Sequence, residues 1–247
     1  MHILVLEGDH MEAEYRAKFG PSHDYTFWNQ GGPLWDGSEE HDDITAAIDA
    51  GMAQQANLPH LALTADVIFD DVDWRLHRHY EPAPGAVVFR NGITQTLYGN
   101  FFYDTKPRHL PVYGFCGLPT LVNRPLLELT MVRGGDEAPL RRVCEQLGTD
   151  YRLVADRVGL ATPRVLAMLI NEACFTLQEG TAAAPDIDRA MQLGVNYPHG
   201  PLAWADRIGL EHVITVLDAL WHDTHDPRYR ACALLRERAT LGERLAA

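Results

Sequence analysis

Two short clusters combine histidine with aspartate, residue types that bind metal ions or move protons near neutral pH. The first cluster consists of Asp71, Asp73, His77 and His79, and the second of His222, Asp223, His225 and Asp226. The spacing of the first cluster along one predicted helix does not bring all four side chains to one side. The histidines of the second end an apolar helix, where the negative end of the helix dipole favours them without a ligand. We therefore predict solvated helix faces and no metal site.

A third polar set follows the first apolar run, HILVL, and consists of Glu7, Gly8, Asp9, His10 and Glu12. The loop after the first strand of a doubly wound sheet faces the crevice in which ligands bind. His10 beside Asp9 is therefore a candidate site residue, and the alternative is an ordinary polar loop residue.

Charge limits the classes of partner. The 247-residue chain has a formal net charge of -13, and no Lys or Arg occurs between Gly20 and Trp74. Nucleic acids and anionic membranes both require a basic face, so neither is expected as a partner. No apolar run is long enough to span a bilayer and the first residues already read as a strand, so we expect a cytoplasmic protein. The widely spaced cysteines, Cys116, Cys144, Cys174 and Cys232, are predicted to be reduced core residues.

The elements that must position these residues alternate in type. Buried strands are predicted at HILVL, DYTFWN, LALTADVIFD, AVVFRN, VYGFC, LLELTMV and YRLVAD. Helices are predicted up to about Gly20, from Asp42 to Gln55, from Trp74 to Tyr80 and from Glu137 to Leu147. This alternation predicts an α/β fold with a doubly wound sheet. From Thr162, a predicted helix cap, the pattern is helical throughout, which places a domain boundary near residues 156–161.

The stretch from Asp186 to Leu210 contains several residues that are typical of helix starts and helix ends. Pro185 and Pro201 stand where first helical residues belong, and Gly194 and Gly209 stand where helices are predicted to end. In the turn before Pro201, Gly200 is free to adopt a positive φ.

This stretch resembles the YPxGP...D..GL segment of the 3-hydroxyacyl-CoA dehydrogenase C-terminal domain. The NEA tripeptide at Asn171 and the run EGTAAAPDIDRAMQLG precede the YPxGP turn at the family's spacing, and ADVIFDDV and GAVVFRN match family strands upstream. The resemblance implies an N-terminal Rossmann-like doubly wound sheet at residues 1–158, followed by an all-α C-terminal domain at 159–247. It also implies a homodimer through the helical domain. Trp204 and Trp221, at helical spacing, are predicted to lie in the core or the dimer interface rather than to contact a ligand.

The resemblance also implies a place for NAD. The family's GxGxxG loop aligns with Glu7, Asp9 and Glu12, so Glu7, Gly8 and Asp9 would contact the cofactor, and Asn29 stands where the family has its ribose-binding Asp. A like charge about 5 Å from a phosphate costs on the order of 3 kcal/mol at an effective dielectric near 20. Micromolar binding is worth only about 8 kcal/mol, so these acids disfavour NAD in the usual mode.

The family's catalytic set is mostly unfilled. Its proton-transferring His aligns with Phe115, or with Gly114 after a one-residue shift, and no His occurs between Leu110 and Pro198. Glu128 corresponds to the Glu that orients this His, and its alternative interpretation is a carboxylate at a strand end. The substrate-binding Ser falls near Ile93 and Thr94, and the Asn falls on Pro163.

Two hypotheses follow. The segment in the place of the family's CoA-binding arm has no cation, so CoA phosphates have no charge-assisted partner there. Aromatic residues could line an apolar pocket or fill the gap left by the shortened arm: Trp28, Trp35, Phe101, Phe102 and Tyr103. The first hypothesis is a non-catalytic relative, an accessory protein of acyl-CoA metabolism or a sensor with a small ligand in the interdomain cleft. The alternative is an NAD-dependent 3-hydroxyacyl-CoA dehydrogenase that uses Glu128 in a non-standard catalytic set.

Overall fold

The computed structural model describes residues 1–29, 56–71, 80–99 and 111–246. Its N-terminal part contains a seven-stranded sheet in the order β2-β1-β3-β4-β5-β6-β7. The strands are β1 (His2–Leu6), β2 (Asp24–Trp28), β3 (Val67–Asp70), β4 (Val87–Asn91), β5 (Val112–Phe115), β6 (Leu126–Thr130) and β7 (Asp150–Val154). The α/β fold class with a Rossmann-like sheet and a helical C-terminal part is confirmed.

Most strand pairs are parallel. β1 pairs with β2 on one side and with β3 on the other, and β4 and β5 continue the parallel array. β6 runs antiparallel to β5, and β7 is parallel to β6. All four residues of β3 are buried, as expected for a parallel strand that is covered on both faces. The chain order reverses between β1 and β3, and ligands of doubly wound sheets bind at such a switch point.

The helices divide into two groups. Those next to the sheet are α1 (Glu12–Phe19), α2 (residues 56–64) and α3 (Ala138–Leu147). The C-terminal group consists of α4 (Thr162–Gln178), α5 (Ala184–Val195), α6 (Pro201–Ile208), α7 (Leu210–Thr224) and α8 (Ala233–Leu241). Within the described residues, no helix is both long and apolar enough to cross a membrane.

The predicted strand LALTADVIFD is wrong in its first half. Residues 61–64 belong to α2, and the strand begins only at Val67. Leu58 and Ala62 are buried one helical turn apart, so a short apolar run that fits either period packs as a helix here. The predicted helix from Asp42 to Gln55 and most of that from Trp74 to Tyr80 lie outside the described residues.

Two predictions about helix ends and turns in the C-terminal part are wrong. α5 continues through Gly194 to Val195 and ends at Asn196, which adopts the left-handed conformation with a φ of 58°. Gly200 has a φ of -64°, not a positive one. A Cβ atom at Gly200 would lie 2.2 Å from the Asp188 Cβ, so close packing is what requires glycine. Gly209 ends α6 with a φ of 96°, as predicted.

One hydrophobic cluster joins the two parts of the molecule. Leu118 and Leu121, which follow β5, pack with the buried faces of α4, α6 and α7. The last strand ends at Val154 and α4 begins at Thr162, and the division at residues 158 and 159 stays a prediction. All four cysteines are buried and none forms a disulfide.

Candidate functional site

The loop after β1 keeps the backbone of a glycine turn without its first glycine. Glu7 has a positive φ of 58°, and its amide donates to the carbonyl oxygen of Trp28 at 2.7 Å. Gly8 packs so closely that a Cβ atom there would lie 2.6 Å from Val5 Cγ1. A short 3-10 helix, Asp9–Met11, then leads directly into α1. The loop therefore makes a tight turn at the C-terminal end of β1.

The acids of this loop are engaged by neighbouring groups. The Asn29 amide donates to Asp9 Oδ2 at 3.0 Å, so the residue in the place of the ribose-binding Asp contacts the loop itself. Glu12 accepts from Arg16 at 2.6 Å along α1. Glu12 and Glu14 occupy the first turn of α1, the positive end at which the family's fold would hold a pyrophosphate.

A second polar group forms at the ends of β3, β4 and β5. Asn91, at the end of β4, donates from Nδ2 to Asp71 Oδ1, and its own Oδ1 accepts from the Ile93 amide at 3.2 Å. Gly117 allows the chain after β5 to pass beside the same carboxyl group, because a Cβ atom there would lie 2.4 Å from Asp71 Oδ1. The sequence analysis placed Asp71 only in a metal cluster that it did not favour, and it did not predict the contact with Asn91 and Gly117. The strand pattern could have predicted this contact, because parallel strands end at one edge of the sheet.

The Asp71 carboxyl group is enclosed although the residue as a whole is half-buried. Burial raises the pKa of this carboxyl well above its ordinary value of 3.8, and the charges of Asp70 and Glu7 raise it further. The hydrogen bond from Asn91 opposes the shift. A carboxyl group with a raised pKa in a ligand crevice can hold a proton at pH values at which an ordinary Asp has lost it.

The end of β5 offers no imidazole. Phe115 is buried in the sheet core, where its ring centroid lies 5.3 Å from that of Phe69. Gly114 faces β6 so tightly that a Cβ atom would lie 2.3 Å from Thr130 Cγ2. Cys116 follows, and burial raises the pKa of its thiol. Neither position that aligns with the family's His can therefore present a proton-transferring group to the crevice.

Glu128 contacts the start of the helical part. Its carboxylate oxygens accept from the backbone amides of Ala161 and Thr162, the latter at 2.8 Å. Thr162 was predicted to cap α4, but the side-chain cap comes from Glu128 on β6. Pro163 lies buried in the first turn of α4, and Ile93 is buried while Thr94 is half-buried. The structure thus places Glu128 at the start of α4, the helix whose first turn contains Pro163.

The space near Glu128 is small. A cavity of about 80 Å³ lies between the end of β5, β6 and Thr162, with Cys116 and Glu128 in its wall. At about 30 Å³ per water molecule in the liquid, it holds only a few waters. Other predicted pocket residues, Trp35, Phe101, Phe102 and Tyr103, lie outside the described residues, and Trp28 is buried in the core.

The two parts of the molecule also meet at the first loop. His10 stacks on His212 of α7 with ring centroids 6.0 Å apart and an interplanar angle of 14°. Trp204 of α6 donates from Nε1 to Thr120 Oγ1 at 2.9 Å. His10 therefore contributes to a contact between the two parts.

Among the described residues, no three His, Cys, Asp or Glu side chains are grouped to hold a metal ion; Asp73, His77 and His79 lie outside them.

The helical part has recognisable relatives. Residues 159–244 match the family model for the 3-hydroxyacyl-CoA dehydrogenase, C-terminal domain. The 3-hydroxyadipyl-CoA dehydrogenase of Escherichia coli K12 is 47% identical over 97 residues, which are 39% of this chain and 20% of that protein. The probable 3-hydroxybutyryl-CoA dehydrogenase of Bacillus subtilis is 40% identical over 100 residues, 40% of this chain and 35% of that protein. The matches to these relatives span well under half of their lengths.

The fold is shared over a longer stretch. The crystal structure of M. tuberculosis FadB2 superposes with a TM-score of 0.71 at 21% sequence identity, covering 97% of this chain and 93% of that one. This likeness concerns the fold, whereas the sequence match concerns the helical part. Through the matched C-terminal domain and its motifs, the helical part of the chain belongs to the 3-hydroxyacyl-CoA dehydrogenase family.

Proposed function

We propose that this chain is a 3-hydroxyacyl-CoA dehydrogenase-like protein that does not transfer hydride and acts as an accessory or ligand-binding protein of acyl-CoA metabolism. One observation carries the proposal. The family's proton-transferring His has no counterpart at the end of β5, because Phe115 lies in the sheet core and Gly114 has no room for a side chain. Oxidation of a hydroxyl group requires a base to take its proton, so the reaction lacks its usual acceptor.

The first loop supports weak NAD binding. Asp9 and Glu12 lie at the start of α1, where a pyrophosphate would need backbone amides and an open positive helix end. The Asn29 amide is directed to Asp9 rather than held ready for a ribose hydroxyl. The residues present therefore do not fit NAD in the family's usual mode.

Calorimetric titration with NADH tests the proposal. We expect no measurable heat for the natural chain, and low-micromolar binding would overturn it. A triple variant, Glu7→Gly, Asp9→Gly and Glu12→Gly, should gain NADH affinity because it removes like charges and restores glycine to the loop. A control that replaces the exposed acids Glu172, Glu179 and Glu211 by Gln changes the net charge equally and should gain nothing.

A specific observation favours the alternative of an active, diverged NAD-dependent dehydrogenase. The enclosed Asp71 carboxyl, with its raised pKa and its Asn91 partner, lies at the switch point where a substrate would bind. In this alternative Asp71 takes the proton from the substrate hydroxyl. Turnover of acetoacetyl-CoA with NADH that is lost in Asp71→Asn would favour the alternative over the non-catalytic proposal. Activity that is lost in Glu128→Gln while that variant stays folded would instead assign the role to Glu128.

We further infer a small-molecule ligand in the interdomain cleft and a homodimer through the helical part. The contacts of His10 with His212 and of Trp204 with Thr120 support this inference, because they bring the helical part next to the first loop and to the segment after β5. The apolar stripe of α7 supports the dimer only weakly, because Val213, Val216 and Leu217 are already buried within the chain. A monomeric mass in light scattering would refute the dimer. A cytoplasmic location stays an expectation from the sequence.

A further inference from the structure

A second polar cavity lies in the helical part, away from the sheet. It has a volume of about 460 Å³ and is bounded by α5, the turn before α6, α6 itself and the segment after α8. Its polar lining consists of Asp188, Gln192, His199, Asp206, Arg207 and Arg244. Ligand pockets typically measure about 300–1,000 Å³, so the cavity has room for a small molecule. No strand residue lines it, so it is separate from the crevice described above.

The two carboxylates of the cavity connect the backbone segments that bound it. Asp188 accepts from the amides of Leu202 and Ala203, at 2.8 and 2.9 Å, and thereby caps α6. Asp206 accepts from the amides of Leu245 and Ala246, at 2.8 and 3.0 Å, and thereby fixes the C-terminal segment on α6. Each carboxylate is thus engaged by two N–H donors. This arrangement positions the adjacent Arg244 at the cavity.

The two arginines of the cavity, Arg207 and Arg244, have no carboxylate partner within the described residues. Within the part of the chain that the structure describes, neither Arg207 nor Arg244 forms an ion pair. Arg207 Nη1 contacts the ring of His199, 2.8 Å from Nε2 and 3.0 Å from Nδ1. Burial lowers the pKa of His199, and the charges of Arg207 and Arg124 lower it further. Beyond the contact of Arg207 with His199, the two exposed guanidinium groups keep N–H donors that no carboxylate of the described residues accepts.

We propose that this cavity binds a small multivalent oxyanion of the diphosphate class through Arg207 and Arg244. A guanidinium group presents paired N–H donors that match phosphate oxygens, and two such groups at one cavity match two phosphates. The Gln192 amide supplies a further neutral donor in the lining. The site requires no hydride transfer, and its occupancy does not depend on the function proposed above.

The test is calorimetric titration of the full chain with pyrophosphate at constant ionic strength, with citrate as a second arm that presents carboxylates instead. We expect saturable binding of pyrophosphate that weakens about tenfold or more in Arg207→Gln and in Arg244→Gln. Arg142→Gln is the matched control, because Arg142 is exposed on α3 and its substitution removes the same charge far from the cavity. Arg244 makes no hydrogen bond or ion pair within the described residues, so its substitution should leave the fold intact.

Several outcomes would overturn the proposal. Absence of pyrophosphate binding would do so, as would an equal loss in Arg142→Gln, which would indicate a general charge effect. Binding of citrate alone would reject the diphosphate class. If the Arg207 and Arg244 variants instead lose a dimer without any effect of pyrophosphate, an acidic group of a second copy fills the cavity and the small-molecule site is wrong.

Discussion

At the scale of single residues, Asp71 is the most informative side chain of the crevice. It follows the buried strand β3, accepts from Asn91, and lies against Gly117, which must be glycine to pass it. The raised pKa means that the folded chain retains a proton on Asp71 at pH values at which the unfolded chain has lost it. Folding stability therefore falls as the pH rises from about the ordinary Asp value toward the folded pKa.

Asp71→Asn should consequently raise the melting temperature at neutral pH and reduce the decline in stability between acidic and neutral pH. The amide has the same shape, retains an oxygen to accept from Asn91, and has no charge to bury. Thermal unfolding followed by circular dichroism at a series of pH values measures both effects. Asp24→Asn is the control, since Asp24 is exposed at the start of β2. Equal melting curves for the natural chain and Asp71→Asn would contradict the assigned protonation.

At the scale of elements, the start of α4 depends on a residue from β6. Ala161 and Thr162 offer backbone amides that the local sequence does not satisfy, and the Glu128 carboxylate accepts from both. A negative group is also favoured at the positive end of a helix. Glu128 therefore joins the sheet to the helical part, a role that requires no catalysis.

We expect Glu128→Ala to lower the free energy of unfolding by about 1–2 kcal/mol, the usual cost of losing a helix cap. Urea unfolding monitored by circular dichroism gives this value. Glu172→Ala is a suitable control, because Glu172 is exposed on the same helix and caps nothing. A Glu128→Ala variant as stable as the natural chain would remove the capping role.

Gly200 is an example of a glycine that is required by the packing of two elements. Gly200 adopts an ordinary φ of -64° and is needed because the Asp188 side chain, which caps α6, lies directly against it. The cap and the close approach are one feature, since the carboxylate can reach Leu202 and Ala203 only across a residue without a side chain.

At the scale of the whole molecule, two histidines connect the first loop to α7. Burial lowers the pKa of His212, the charge of His10 lowers it further, and Glu211 opposes the shift. The unfolded chain therefore takes up a proton at His212 more readily than the folded chain does. The stability that His212 contributes is present above its ordinary pKa of 6.5 and is lost as the pH falls below it.

His212→Gln should reduce the loss of stability at acidic pH. We expect its melting temperature to fall less between neutral and mildly acidic pH than that of the natural chain does. Differential scanning calorimetry at several pH values measures the difference. His222→Gln, on the exposed end of the same helix, should keep the natural slope. An unchanged slope in His212→Gln would show that the contact between the two parts does not respond to protonation.

The sequence by itself determined the fold class and the family resemblance of the helical part, because strand and helix periods and the C-terminal motifs are local patterns. It also located the position of the missing His at Phe115 and the start of α4 near Thr162. Local patterns failed where two periods fit one apolar run, as in α2, and where a helix could pass a glycine, as at Gly194.

Only the tertiary structure decided which distant residues meet. Asn91 and Gly117 approach Asp71 because parallel strands end at one edge, Glu128 reaches Ala161 across 33 positions of sequence, and His212 reaches His10 across the two parts. The close approach at Gly200 and the paired arginines of the second cavity arise in the same way. Such contacts depend on how whole elements pack, and no periodicity along the chain encodes them.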